Sequence, residues 1–179
     1  KNSLSKKLKL NRAFGVNKSH SKRKSPGLYN VSVLGFNYRM SELHAAIGCE
    51  QIKKINKFLE IRKNNFLYFK KLLEQKLYLK ILDSVSEKSV NSHYCLTILL
   101  PKGSKNFRDT IVNHLQSRGV GCSIYYPHPV PRLKYYKNKY KFNANYYENA
   151  AYLSDYSIAL PVGPHLKKKD MKSIAITLL

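Results

Sequence analysis

The chain has 179 residues, with 33 Lys+Arg against 10 Asp+Glu and a formal net charge of +23. A hydrophobic fraction of 43% supplies a real core and excludes a wholly disordered basic tail. No apolar run approaches the roughly 20 residues of a membrane-spanning helix, and no apolar h-region follows the charged start, so neither a membrane span nor secretion is expected.

Lys provides 26 of the 33 cations. Sites that read phosphates or bases bidentately favour Arg. The scattered Lys, with abundant Asn and Ile, therefore reads as residue-usage bias, and no nucleic-acid partner is expected. Cys49, Cys95 and Cys122 are odd in number, widely spaced and form no C-x-x-C pair, which points to a reducing, cytoplasmic setting and no zinc site. The six His show no i,i+3 or i,i+4 pairing, so no metal site is nominated. The chain opens at Lys1 rather than Met and enters a helical pattern at once, so a preceding N-terminal part is expected.

Along the chain, Leu4 to Leu10 reads as the end of a helix stopped near Gly15. Residues 16–26 are polar and basic and read as a loop. Leu28 to Leu34 alternates weakly, as a short strand would. GFNYRMSELHAAIG follows at 35–48, with a helix starting after Ser41. Ile52, Ile55, Phe58/Leu59, Arg62, Phe66, Phe69 and Leu72/Leu73 then keep a three-or-four-residue rhythm. That predicts one long helix, or two with a bend near Arg62 to Asn65.

Tyr94 to Leu100 is a β-rich run. Phe107 to Leu115 marks a helix ended at Gly119. Val120, Cys122, Ile124 and Tyr126 alternate as a strand, cut off by Pro127, Pro129 and Pro131. A helix around Asn145 to Leu153, a strand Ser157 to Leu160 and a helix Asp170 to Leu179 complete an α/β unit.

No nucleophile–base pair, metal cluster or phosphate-cradling glycine loop is present. The acids, such as Glu87 and Asp109, are isolated, and runs such as Lys167 to Lys169 read as solvated faces. In the extended stretch before Ser41, residues two apart point the same way, so Asn37 and Arg39 project together. An amide beside a guanidinium suits an anion. The alternative is a turn role for Asn37 and an Arg39–Glu42 ion pair.

GFNYRMSELHAAIG, with EQIKKINKFLEIRKNNF at 50–66, resembles the DegT/DnrJ/EryC1/StrS aminotransferases. LKLNRAFGV at 8–16, YCLTILL at 94–100, RDTIVNHLQSRGVGCSIYYPHPVPRLKYYKNKYKF at 108–142 and SDYSIALPVGPH at 154–165 extend the likeness over nearly the whole chain. The resemblance implies an α/β fold: the C-terminal portion of a pyridoxal-phosphate (PLP)-dependent transferase of fold type I. Residues 1–40 would end the large domain and carry the interface loop, 41–89 would form long connecting helices, and 90–179 a small C-terminal domain. It also implies a cytoplasmic homodimer that aminates a nucleotide-linked keto-sugar for surface polysaccharide or glycan, with glutamate as donor.

By the same match Asn37 bonds the PLP phosphate of the partner subunit, and Arg39 and Tyr126 contact substrate. The family's Schiff-base lysine lies upstream of LKLNRAFGV, so no catalytic residue is nominated here, and Lys1-Asn2 lacks the glycine-rich context of the family's Lys-Asn pair. Many members carry Leu-His where this chain has Val130-Pro131, and His128 is not carried over. Two alternatives stand beside this reading: a sugar 3-dehydrase of the same family, and a non-enzymatic basic binding module.

Overall fold

A computed structural model describes residues 2–17, 20–76, 78–83, 88–103, 105–143 and 146–178. Lys1, Glu87, Asn145 and Leu179 of the readings above lie outside them. The chain forms two compact units, residues 1–54 and 55–179.

The first unit contains α1 (Asn2–Asn11) and α2 (Glu42–Ile52). Between them, residues 11–17 run beside 30–38. Phe36 N–H donates to Asn11 O (2.8 Å), Phe14 N–H to Phe36 O (3.1 Å) and Tyr38 N–H to Arg12 O (2.9 Å). The strand expected over 28–34 is not formed. Its one ladder contact is a bridge between Val16 and Val31. Leu28, Tyr29, Val31 and Leu34 are all exposed, so no buried face fixes the segment's register, and among the described residues no strand pairs with it. Among the described residues of this unit only Gly15 is buried, whereas Leu4, Leu8, Tyr38, Met40, Leu43 and Ile47 are exposed.

The second unit holds the core. Its elements are α3 (Ile55–Leu73), β1 (Lys80–Leu82), β2 (Cys95–Leu99), α4 (Lys105–Ser117), α5 (Lys134–Tyr140), α6 (Glu148–Tyr156), β3 (Ser157–Pro161) and α7 (Lys168–Thr177). The strands form one antiparallel sheet in the order β1-β2-β3. Side chains two apart in a strand share a face. Leu96 and Ile98 therefore lie opposite Leu160 and Ile158, and all four are fully buried. Phe66, Phe69 and Leu73, at the i, i+3, i+7 spacing of a helix face, cover them from α3, and Met171, Ile174 and Ala175 from α7.

Two further expectations are corrected, and two elements, α5 and β1, were not expected. The helix break falls at Lys53–Lys54, not near Arg62 to Asn65. Asn65 stays helical because its amide is engaged off the helix, donating to Val162 O (3.4 Å), Gly163 O (3.1 Å) and Leu166 O (3.1 Å), so it does not compete for its own backbone. The strand expected over 120–126 is a single bridge, Ser123 to Ala159. Its alternation arises because Val120 and Cys122 pack on the core, and the prolines beyond cannot extend a ladder. The helix α5 was missed because it is tyrosine- and lysine-rich with no buried face. The strand β1 was missed because three residues are too few to show a period.

His93 packs its ring 4.7 Å from that of Phe66, and its Nδ1 is buried without a hydrogen-bond partner. Burial pushes its pKa below the ordinary 6.5; the Asp83 carboxylate opposes this and Lys63 adds to it. The unfolded chain therefore takes up a proton that the folded chain resists. Stability from this group is complete above 6.5 and is lost as pH falls through 6.5 toward the lower folded value. Urea midpoints on the two sides of that pH should fall further for the wild-type chain than for His93→Phe; equal falls would remove His93 as the cause.

Candidate functional site

Two glycines shape the segment that carries Asn37 and Arg39. A Cβ on Gly35 would lie 2.2 Å from Gly15 N and 2.7 Å from Asn11 O. Gly15 has φ +68°, and a Cβ there would sit 1.8 Å from Val33 O. The obstructing atoms are backbone and cannot step aside, so the approach of residues 11–17 to 31–38 requires both glycines. Within that frame Asn37 is bridged through its backbone to Ala13.

The side chains of Asn37 and Arg39 do point together. Arg39 Nε donates to Asn37 Oδ1 at 3.1 Å, and the guanidinium lies 5.1 Å from the centre of the Phe14 ring. Among the described residues, neither Asn37 Nδ2 nor the outer guanidinium nitrogens have a protein acceptor, and Arg39 forms no ion pair with Glu42. Both residues are exposed. The bond at Nε orients the pair, leaving an amide donor and a charged fork open to an anion. Ser41 caps the helix that follows, its Oγ accepting from His44 N–H at 3.3 Å. Arg39 also lines a groove that Lys6, Lys9 and Lys22 border.

Tyr126 belongs to the second unit, where it is exposed, with its ring 5.6 Å from that of Tyr125. His128 is exposed too. Sequence reasoning missed a cavity of about 420 Å³ in this unit, lined by Arg62, Tyr94, Tyr125 and His165 among others. A signal was available, since Arg62 occupies a position where the rhythm of α3 calls for an apolar residue. Tyr125, as hydrogen-bond partner and by its charge, holds the Tyr94 phenol above its usual 10.0, while Arg62 pulls it the other way. Among the described residues no group of three or more His, Cys, Asp or Glu is placed to hold a metal ion, and no helix is long and apolar enough to cross a membrane.

The model of the DegT/DnrJ/EryC1/StrS aminotransferase family matches residues 1–179. Over 105 residues the chain is 31% identical to the GDP-4-keto-6-deoxy-D-mannose 3-dehydratase of Yersinia pseudotuberculosis, covering 59% of this chain and 25% of that protein. Over 174 residues it is 25% identical to the UDP-4-amino-4,6-dideoxy-N-acetyl-beta-L-altrosamine transaminase of Campylobacter jejuni strain 81-176, covering 96% of this chain and 43% of that protein. Helicobacter pylori PseC, an aminotransferase involved in the biosynthesis of pseudoaminic acid, superposes with a TM-score of 0.87 at 22% identity, over 99% of this chain and 46% of that one. The chain thus spans less than half the length of these relatives, and its fold is that of a portion of a fold type I PLP-dependent transferase.

Gly35→Ala should open the contact between residues 11–17 and 31–38. Hydrogen exchange at the Phe14, Phe36 and Tyr38 amides should quicken while that of Ile98, in β2, stays unchanged. Unaltered protection at those three amides would show that the close approach does not hold the segment.

Proposed function

The chain belongs to the DegT/DnrJ/EryC1/StrS aminotransferase family, and from that premise we propose that the protein transfers an amino group to a nucleotide-linked keto-sugar with PLP as cofactor. Glutamate is the donor and a homodimer the working form. The observation that carries this reading is the family match over all 179 residues, joined to the braced Asn37–Arg39 pair.

Asn37 fits the cofactor's anionic end. A phosphate needs directed donors, which the exposed Asn37 amide supplies, and the Arg39 fork beside it suits a second anionic group, that of the substrate. PLP, when bound, supplies the electron sink for amino transfer. Asn37 would hold the phosphate of a cofactor bound in the partner subunit through its side-chain amide, which would tie cofactor binding to dimerisation. Arg39 holds the acidic group of the substrate, its reach past Asn37 fixed by the Nε–Oδ1 bond. Tyr126 offers a phenol and a ring face to the sugar. The lysines beside the groove raise the encounter rate of an anionic substrate without selecting it.

A second reading within the family is supported by the 31% identity to a sugar 3-dehydratase. The two are separated by product. A transaminase given PLP, glutamate and a nucleotide-linked keto-sugar forms an amino sugar with an equal amount of 2-oxoglutarate. A dehydratase instead forms a deoxy keto-sugar that has lost a hydroxyl and gained no nitrogen, with glutamate as the two-electron reductant leaving as 2-oxoglutarate and ammonia. Neither product from any such sugar would sink both readings.

For the residues, in a protein that also carries the family's Schiff-base lysine, Asn37→Ala should weaken PLP by about ten- to a hundredfold, the worth of one hydrogen bond to a charged group. Fluorescence titration with pyridoxal, which lacks the phosphate, should show no difference between Asn37→Ala and wild type. Arg39→Ala should raise the KM for the nucleotide sugar more than the Kd for PLP, and Arg39→Lys should restore part of the loss, because a point charge cannot reproduce the fork. Equal weakening of PLP and pyridoxal by Asn37→Ala would move the residue away from the phosphate.

A further inference from the structure

The cavity at the Cys95/Pro161 end of the sheet is built from three elements. Arg62 enters from α3, Tyr94 and Cys95 from the start of β2, and Gly163 to His165 from the loop after β3, while residues 121–125 close the remaining side. Its walls are fixed by hydrogen bonds. The buried Asn65, one turn from Arg62, pins the 162–166 loop through the carbonyls of Val162, Gly163 and Leu166. Ser123 and Ala159 exchange backbone hydrogen bonds of 3.0 and 2.7 Å. The His165 ring lies against Gly163 so closely that a Cβ there would fall 2.6 Å from it.

Arg62 lines this cavity with a buried donor that the structure leaves without an acceptor. Arg108 and Arg132 of the same unit each meet a carboxylate, Asp109 at 2.6 Å and Asp155 at 2.9 Å. Among the described residues the Arg62 guanidinium makes no hydrogen bond or ion pair, and its one recorded partner is the Tyr94 ring, 5.9 Å from the guanidinium carbon. Its Nε is shielded from water without an acceptor, so the side chain is held in the wall rather than solvated on the surface. A cationic donor in that state calls for an acceptor, and no Asp or Glu lines the cavity.

From this arrangement we infer that the cavity binds a small carboxylate, with Arg62 as its charge partner and the hydrogen-bonded Tyr94–Tyr125 pair offering one remaining hydroxyl as a neutral donor. A planar two-oxygen anion matches the guanidinium fork. Phosphate is the weaker fit, because it brings close to two charges to a cavity lined by a single Lys or Arg. A volume of about 420 Å³ lies toward the small end of ligand pockets and suits a molecule of amino-acid or oxo-acid size. The inference concerns binding alone and does not depend on the activity proposed above.

The test is calorimetric titration of the whole chain with glutarate, in parallel with inorganic phosphate. Saturable binding of glutarate at one site is expected, with phosphate weaker. Arg62→Ala should lose about ten- to a hundredfold in affinity, as when a charged hydrogen-bond partner is removed. Arg62→Lys should keep part of it, Tyr94→Phe should lose less than Arg62→Ala, and Lys137→Ala, which removes an exposed cation on α5, should bind as wild type. Circular dichroism and the urea midpoint check that each variant is folded. Three results would overturn the assignment: no saturable glutarate binding at millimolar concentration, equal binding by folded Arg62→Ala or folded Arg62→Lys and wild type, or an equal loss in Lys137→Ala, which would reveal attraction to net charge alone.

Discussion

The register between β2 and β3 is the constraint on which the second unit depends. Pairing Cys95 with Pro161 and Leu99 with Ser157 sets Leu96 across from Leu160 and Ile98 across from Ile158. A slip of one residue would turn this set to the opposite face. Each such side chain contributes roughly 1.5–3 kcal/mol when fully buried, so the register is held by several interactions at once. The helix α3 packs on β2, and α7 packs on α3 within the same core. The cavity inherits the same constraint, because its floor is the Cys95/Pro161 end of this ladder.

The first unit is organised by sterics instead of burial. Backbone meets backbone at Gly15 and Gly35, and hydrogen bonds from Phe14, Phe36 and Tyr38 complete the contact. This positions Asn37 without a core behind it. Such a segment is easily opened, and its order rests on few interactions, which is the usual state of binding loops. The brace from Arg39 Nε to Asn37 Oδ1 therefore matters more than a surface hydrogen bond elsewhere would, since it presents two donors as one unit.

Much of this was legible in the residues. The rhythm of α3 named Phe66, Phe69 and Leu73, and the β-rich run at 94–100 with the short strand at 157–160 named the two strands that form the core. Period-two geometry placed Asn37 and Arg39 side by side. The failures share a cause. Alternation in 120–126 reported burial of Val120 and Cys122 rather than ladder pairing, and nothing local distinguishes the two. A double Asn inside α3 looked like a bend because its acceptors, in the 162–166 loop, are almost a hundred residues away in sequence. The Arg62 cavity was hidden for the same reason, since Tyr94, Tyr125 and His165 reach it only through the fold.

The large positive charge calls for a different treatment from these sites. The few acids of the described residues are mostly committed to structure. Asp83 holds Lys70 at 2.8 Å, Asp109 and Asp155 hold Arg108 and Arg132, and Asp170 accepts from Lys167 N–H at the start of α7. The remaining cations are spread over every element, and their field acts at a distance, screened within about 10 Å at ordinary salt. It speeds the arrival of any anion and prefers none. Selection must come from donors fixed in direction, which the Asn37–Arg39 brace supplies in one unit and the half-buried Arg62 in the other. In a chain this basic, the informative cations are those whose side chains the structure holds still.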